Sequence, residues 1–299
     1  VARNIARAAP DLVWQPASQL RLDAHADTEL EAVLAGKKPA LRVSVPPDEA
    51  RAAAAEYEKH GLVVRDCGEP LAMHGALWSV LYVARDEASA VALRDLEQRQ
   101  RTTEAWGERL RLHQAFGERL GYPPCCVAAF CERLARRSAD ETEVERRYPD
   151  EAYEAAVAAW VSRPAARLNP LLFGERLSLV SFEACRFDCP SALAVADAIA
   201  AALGSVSPER LAELDRALAT PIAIAPTGAR ARVTLGAGAP SVVTAARPIA
   251  RLYGVPEPDA AEAVTAGWIG RRVAVDGRVA DSGEPPVLVL DFVPASGSS

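Results

Sequence analysis

The sequence predicts an α+β protein, because three kinds of pattern follow one another along the chain. Strand-like and helix-like patterns alternate in the first third, helical patterns dominate the middle, and short β-like runs separated by glycine and proline fill the last quarter. A chain of 299 residues is also long for one core, which favours several compact units. The predicted parts are an N-terminal ferredoxin-like α/β sandwich over residues 1–100, a helical cysteine-bearing core over 101–219, and a small β-rich unit over 220–299 with a flexible tail.

The N-terminal part shows elements in the order β-α-β-β-α, which is most of a ferredoxin-like unit. Residues 41–45 alternate apolar and polar side chains, as a half-buried strand does. Asp48 stands where it would cap a helix that continues to His60. The other predicted elements are a helical turn over 30–34, strands over 62–64 and 78–84, and a helix over 86–98.

The middle part is predicted to be helical from its amphipathic spacing. Residues 104–120 place apolar side chains near one face, and the glycine, tyrosine and two prolines of 121–124 end this pattern. Pro190 fits the first position of a later helix, where its missing N–H costs nothing. The predicted helices cover 104–120, 126–137, 151–161 and 190–202, and a further short one begins at Ser207.

After Pro221 the chain carries short β-like runs with turns between them, which predicts a small β-rich unit. The dipeptide at 276–277, Asp-Gly, fits a hairpin turn. The predicted strands cover 223–225, 230–235, 272–275 and 287–290, and residues 294–299 are predicted to be a frayed tail.

The charge balance disfavours nucleic acid as a partner. The formal net charge is −6 and the pI is about 5.4, so the chain as a whole repels a polyanion. No stretch approaches the roughly 20 apolar residues of a membrane-spanning helix, and the first residues lack the apolar core of a secretory signal. We therefore expect a cytoplasmic protein with no membrane partner, in which grouped thiols bind metal or react rather than form disulfides.

Five of the six cysteines lie within 65 residues and form the most distinctive pattern of the sequence. Cys125 and Cys126 are adjacent at a Pro-Pro turn, and Cys185 and Cys189 would share one face if they lay in a helical turn. The helices expected after Cys126 and from Pro190 would offer N–H groups to thiolates at their first turns. The pattern therefore predicts a shared metal or cluster site for these four cysteines.

Four thiolates are the usual ligand set of a [4Fe–4S] cluster, which is the first interpretation of the cysteine pattern. Cys131, on the apolar stripe of its helix, is either a further metal ligand or a packing residue. Zinc is the alternative metal, although its sites usually show Cys-x2–4-Cys in both halves. A metal-free pair of redox thiols is a third interpretation. Cys67, at the end of a predicted strand, is expected to be packing.

Three further side chains are candidates for chemistry near the cysteines. His113, twelve residues before Cys125, is a candidate proton donor or additional ligand. Tyr122 is placed to donate a hydrogen bond to a sulfur or a substrate, and Arg186 to bind an anionic substrate. Each has a plainer interpretation, since a lone histidine usually packs, Gly-Tyr-Pro is also a rigid turn, and a loop arginine is usually solvated.

The first cysteine pair lies in the stretch Leu120-Gly-Tyr-Pro-Pro-Cys-Cys-Val-Ala-Ala-Phe130. This stretch resembles the Leu-Gly-Tyr-Pro-x-Cys-Cys-x-x-x-Phe signature of a prokaryotic family, domain of unknown function 483. The family also carries a downstream Pro-Cys-Ser-x-x-Cys-like element, which Phe182-Glu-Ala-Cys-Arg-Phe-Asp-Cys-Pro-Ser191 matches in its two cysteines. It departs from that element at Ala184 and Arg186. The resemblance covers about 70 residues and implies that the two pairs belong together, without implying an activity.

These observations lead to an iron–sulfur protein of the cytoplasm, expected to be an enzyme. The cluster would exchange electrons with a redox partner protein or act on a small-molecule substrate as a Lewis acid or through sulfur chemistry. Ligand number separates these roles, since three thiolates leave one iron open and four close the cluster. The alternatives are a zinc-stabilised adaptor module and a metal-free thiol redox protein.

Overall fold

The computed structural model describes residues 26–73, 76–137, 164–169, 172, 177–224, 230–236, 241–248, 272–273 and 288–290. The helices are α1 (Ala26–Leu34), α2 (Ala50–Lys59), α3 (Glu87–Thr102), α4 (Trp106–Arg119), α5 (Pro124–Arg137), α6 (Pro190–Val206) and α7 (Pro208–Leu218), with a 3₁₀ turn at Ala166–Leu168. The strands are β1 (Ala40–Val45), β2 (Val63–Asp66), β3 (Leu71–Met73), β4 (Ala76–Ala84), β5 (Ile222–Ile224), β6 (Arg230–Leu235), β7 (Ser241–Pro248), β8 (Arg272–Val273) and β9 (Leu288–Leu290). The predicted α+β class is confirmed.

Four predictions lie outside the described residues. They are the helix over 151–161, the hairpin turn at 276–277, the tail over 294–299, and the part of the N-terminal unit before residue 26.

The N-terminal sheet is built around β4. Strand β1 pairs antiparallel with one side of β4, and β2 pairs antiparallel with β4 as well, which gives the order β1-β4-β2. Because α2 connects β1 to β2 and β4 lies between them, this is a split β-α-β arrangement. The strands and both helices predicted here are confirmed, and β3, which pairs with the first residues of β4, was not predicted.

The two helices of this unit lie on opposite faces of the sheet. Leu81 and Val83 of β4 pack in one cluster with Tyr57 of α2, whereas Tyr82 of β4 packs in another with Leu93 of α3. A ferredoxin-like sandwich has both helices on one face, so the predicted two-layer sandwich is wrong on this point. The reason is the uninterrupted apolar run of β4, which makes both of its faces hydrophobic and requires a cover on each.

The predicted start of α2 also needs correction. Its N-cap is Glu49 rather than Asp48, and no side chain caps the first turn. The Glu49 N–H donates to the Pro46 carbonyl at 3.0 Å, so a turn already precedes the helix and displaces the cap by one residue. By contrast, Asp86 caps α3 with its side chain, which accepts from the Ser89 N–H.

The C-terminal strands form a five-stranded antiparallel sheet in the order β8-β7-β6-β5-β9. Four of its strands were predicted within a residue or two, and β7 was not. The pairing of β6 with β7 shifts register between Thr234 and Leu235, which marks an irregularity in the ladder. This interruption and the alanines and proline of β7 explain why its sequence shows no clear strand pattern.

One buried cluster connects elements from all three predicted parts of the chain. It contains Ala32 of α1, Cys126 of α5, most of the apolar face of α6, and Ile222 and Leu290 of the C-terminal sheet. The cysteine-bearing segments therefore lie at a junction of the fold, and the domain boundaries at 100 and 219 stay predictions. Among the described residues, no helix combines the length and the apolar character that crossing a membrane requires.

Candidate metal centre

The first cysteine pair lies inside the first turn of α5. Helix α4 ends at Arg119 with Leu120 as its C-cap, Gly121 takes a positive φ of 78°, and α5 begins at Pro124. The helix was predicted to begin at Cys126, but it begins two residues earlier and includes both cysteines. Successive helical residues point about 100° apart, and accordingly Cys125 is exposed while Cys126 is buried.

The second cysteine pair lies in a loop and not in a helical turn, which corrects the geometry expected for Cys185 and Cys189. Their segment is irregular, and the Cys189 N–H donates to the Arg186 carbonyl at 3.1 Å. Cys189 is the N-cap of α6, with Pro190 at the first helical position as predicted. A loop bends the chain back on itself, so both sulfurs reach the same point without helical periodicity.

The four sulfurs meet in one group. The Sγ atom of Cys125 lies 4.0 Å from that of Cys126 and 3.6 Å from that of Cys189, and the Cys126 and Cys189 sulfurs are 3.9 Å apart. With Cys185 included, all four Sγ atoms lie within 4.8 Å of one another. The structure thus brings together the four cysteines that the sequence pattern paired, and they could hold a metal ion.

Backbone N–H groups point at the buried sulfurs. The Cys185 N–H donates to the Cys126 Sγ at 3.4 Å, and the N–H of Ala192 donates to Cys189 from the first turn of α6. Such N–H···S contacts stabilise thiolates and are typical of metal-bound cysteines.

The surroundings shift the pKa values of these thiols in different directions. Burial raises the pKa of Cys126, and burial together with the neighbouring Cys189 raises that of Cys185 to about 11. Burial also opposes ionisation of Cys189, but the Ala192 N–H and the adjacent thiols outweigh it and lower its pKa. Several thiolates in so small a volume need a compensating charge, which a divalent cation supplies.

The remaining cysteines lie apart from this group. Cys131 directs its Sγ toward the Leu110 carbonyl of α4 at 3.8 Å, and the structure does not bring it to the four sulfurs. Burial raises its pKa, so it behaves as a packing thiol. Cys67 is buried next to the N-terminal sheet, where its sulfur contacts the Glu69 carbonyl and the Val80 N–H. This agrees with its predicted packing role.

His113 lies on α4 against the side of α5. Its ring packs edge-on against Phe130, with centroids 5.8 Å apart, one turn along the helix from Cys126. Burial, and then the charge of Arg109, lowers the pKa of His113, so the imidazole is neutral at physiological pH. These contacts describe a packing residue, and its role as proton donor or ligand stays a prediction.

Tyr122 and Arg186 both have protein partners. The Tyr122 hydroxyl lies 2.8 Å from the Ser181 Oγ, and its ring packs against Phe182. Arg186 is exposed and donates twice to the Asp188 carboxylate, at 2.8 and 3.0 Å. Tyr122 thus connects the two cysteine-bearing segments, a role that the sequence did not reveal, while anion binding by Arg186 stays a prediction.

Two ion pairs around the site were not predicted from the sequence. Arg133 of α5 pairs with Glu183 at 3.0 Å, two residues before Cys185. Lys38 and Glu29, both fully buried, form an ion pair at 3.3 Å. Local patterns carry no signal for such long-range pairs, and the Gly-Lys-Lys-Pro stretch containing Lys38 is typical of an exposed turn.

A scan against protein-family models finds no match, and searches of the curated proteins and of the solved structures give no significant match either. The resemblance of the two motifs to domain of unknown function 483 stays a prediction.

Proposed function

We propose that Cys125, Cys126, Cys185 and Cys189 hold a single metal ion, with Zn²⁺ as the first candidate, and that the protein is a metal-stabilised module. The observation that carries this proposal is the spacing of the sulfurs. A tetrahedron of thiolates about 2.3 Å from one zinc ion has edges of about 3.8 Å. The Sγ–Sγ separations of 3.6, 3.9 and 4.0 Å among Cys125, Cys126 and Cys189 agree with that value.

The same spacing argues against a [4Fe–4S] cluster as the first choice. In such a cluster each thiolate binds a different iron, so the cluster body separates the four sulfurs far more than one shared ion does. Here the four Sγ atoms lie within 4.8 Å of one another. The cysteine-bearing segments would have to move apart to admit a cluster.

Four protein ligands make a closed site, which is typical of structural zinc. Such an ion supplies a cross-link between the start of α5 and the start of α6. The chain's own residues define the pocket: Cys126 and Cys189 belong to the buried core cluster, and the Cys185 and Ala192 N–H groups orient the sulfurs. A site of free thiolates also fits a reducing compartment such as the cytoplasm.

An iron centre for electron transfer is the second candidate, and the exposure of Cys125 favours it. The other three thiols are buried or half-buried, whereas Cys125 faces solvent. A redox metal held by these cysteines would therefore lie near the surface, where a partner protein can approach. Tetrahedral sulfur ligation suits iron as well as zinc.

Metal analysis of protein expressed with both zinc and iron, and purified without oxygen, tests the proposal. We expect one zinc per chain and a colourless protein, and Co²⁺ substitution should give the intense thiolate-to-metal bands of a tetrahedral site. Iron without sulfide would favour the electron-transfer centre. Iron with an equal amount of sulfide would favour an iron–sulfur cluster over zinc. Protein that is as stable to thermal unfolding without bound metal as with it would refute a metal-stabilised module.

A further inference from the structure

A buried ion pair contacts both segments that lead to the four cysteines. The Lys38 Nζ atom is 3.3 Å from the Glu29 Oε2 atom, and both side chains are only 1% exposed. Lys38 follows α1 in the turn before β1, and it also donates to the Ala40 carbonyl at 2.8 Å and to the Leu120 carbonyl at 2.9 Å. The ammonium group thus makes two hydrogen bonds to backbone carbonyls and one ion pair with a carboxylate.

The lysine side of this pair holds the segment that carries the first cysteines. Leu120 is the C-cap of α4, where carbonyl groups lack helical partners and the helix dipole is negative. The Lys38 ammonium therefore fixes the point from which the chain turns toward Cys125. It also lies 5.1 Å from the centre of the Tyr122 ring, inside the same turn.

The glutamate side holds the segment that carries the second cysteines. The Glu29 Oε1 atom accepts a hydrogen bond from the Ser181 N–H at 2.9 Å, four residues before Cys185. Thr28, its neighbour on α1, donates to the Leu179 carbonyl at 3.4 Å. Helix α1 is thereby bound to the loop that ends at the metal centre.

The contacts made by Lys38 and those made by Glu29 form one closed network. The Tyr122 hydroxyl meets the Ser181 Oγ at 2.8 Å, so Lys38, Glu29, Ser181 and Tyr122 connect both cysteine-bearing segments through one polar network. A buried ion pair is a poor way to stabilise a core, since apolar side chains of similar size usually do as well. What the pair provides here is a fixed distance between two segments that are far apart in the sequence.

We propose that Glu29 and Lys38 are positioning residues of the metal centre, holding the two cysteine pairs in register for one ion. This inference rests on the proposed function, because it requires that the four thiols bind a metal. Outer-shell residues of metal sites typically change metal affinity by about 10- to 100-fold when they are replaced. We expect the same range here, although neither residue contacts a sulfur.

The test compares Lys38→Met, Glu29→Gln and the double variant with Glu97→Gln as the matched control. Lys38→Met alone leaves Glu29 buried without a countercharge and can fail to fold, whereas the double variant removes both charges and keeps the side-chain volumes. Glu97→Gln breaks another buried ion pair, which Glu97 of α3 forms with Arg42 of β1 in the N-terminal sheet. For each protein, competition with a chromogenic chelator gives the Zn²⁺ affinity, Co²⁺ spectra report the ligand geometry, and thermal unfolding reports stability.

We expect the double variant to fold, to bind Zn²⁺ about 10- to 100-fold more weakly, and to show altered Co²⁺ bands. The control should lose stability and keep both the affinity and the spectrum. The inference is overturned if the double variant binds Zn²⁺ as tightly as the wild type. It is also overturned if the control loses as much Zn²⁺ affinity as the double variant for the same loss of stability. A wild-type protein without thiolate-to-cobalt bands would instead refute the proposed function, and the inference with it.

Discussion

Cys126 occupies the most enclosed position of the proposed metal centre. Its side chain is 2% exposed, its sulfur accepts the Cys185 N–H, and it belongs to the core cluster that joins α5 to α6. Cys131, five residues along the same helix, provides a comparison on the same element. The two thiols differ in what they face: one meets three sulfurs, the other a backbone carbonyl of α4.

We therefore predict opposite results for Cys126→Ser and Cys131→Ser. Because outer-shell changes already reach about 100-fold, loss of a ligand should weaken Zn²⁺ binding by at least about 100-fold. Cys131→Ser should leave the affinity and the Co²⁺ spectrum unchanged. Chelator competition on both variants checks this, and a loss of one thiolate band in Cys131→Ser would show that Cys131 is a ligand.

A second residue-scale prediction concerns Glu97, which is buried between the N-terminal sheet and α3. Burial opposes ionisation of its carboxylate, but Arg42 and Arg101 outweigh burial and lower the pKa from 4.5 to about 2. Since the folded-state pKa lies below the ordinary value, the stabilisation is complete above about pH 4.5 and is lost as the pH falls toward 2. This shift corresponds to about 3 kcal/mol.

Glu97→Gln should accordingly lower the free energy of unfolding by about 3 kcal/mol at neutral pH and flatten its dependence on pH between about 4.5 and 2. Urea unfolding at a series of pH values measures both effects. A variant that keeps the wild-type slope in this window would show that another carboxylate is responsible.

At the scale of elements, the turn between α4 and α5 depends on Gly121. Its φ of 78° is strained for any residue with a side chain, and a Cβ atom built there would lie 2.7 Å from the Cδ of Pro39. This turn directs the chain from the Leu120 carbonyl, held by Lys38, to the first cysteines. A single backbone position therefore sets the entry of the chain into the metal centre.

Gly121→Ala should destabilise the protein by about 3 kcal/mol, from the left-handed conformation and the clash with Pro39 together. Gly107→Ala is the matched control, since Gly107 lies in α4 with nothing within 4 Å of the added methyl group. Because alanine favours helix, the control should raise stability by up to about 1 kcal/mol. Thermal unfolding measures both changes, and equal effects would contradict the role of the turn.

The sequence predicted elements better than it predicted how they assemble. The strand over 78–84 was found because its apolar run is long, but a run says nothing about which helix covers which face. Cys185 and Cys189 were expected in a helical turn because their spacing of four fits one, yet a loop brings them together equally well. The cysteine group itself was predictable, since two closely spaced cysteine pairs in one stretch of sequence are typical of a shared metal site.

What could not be predicted are contacts between residues far apart in the chain. Lys38 meets a carbonyl 82 residues away, and Glu29 meets an N–H 152 residues away. Each residue alone has the sequence surroundings of a solvated charge, because local periodicity reports faces and not partners. Only the folded chain shows that both are buried and paired.

At the scale of the whole molecule, the metal centre lies in one core and the N-terminal sheet in others. The cluster with Cys126 and Cys189 extends through α6 to the C-terminal sheet, whereas β1 and β4 pack mainly in separate clusters with α2 and α3. A ligand that binds only the folded state stabilises most strongly the unit that contains its site. Metal removal should therefore destabilise the core that contains the cysteines more than it destabilises the N-terminal sheet.

We predict that stripping the metal with a chelator under reducing conditions lowers the Tm and exposes the metal core first. Hydrogen exchange should accelerate in the first turn of α5 and in residues 177–193, while β1 and β4 keep their protection. Exchange measured by mass spectrometry with and without the chelator checks this. Uniform acceleration through β1 and β4 would show that all the cores unfold as one unit.

The contact between Cys125 and Cys189 also has a topological consequence, since these residues are 64 positions apart. A metal ion bound to both residues closes a loop of that length in the folded chain, which costs roughly 4 kcal/mol of chain entropy, and the free energy of metal binding has to offset this cost. This entropy grows only with the logarithm of loop length, so doubling the loop changes it by about 0.6 kcal/mol. The entropy of loop closure alone therefore sets little constraint on how many residues separate the two cysteine pairs.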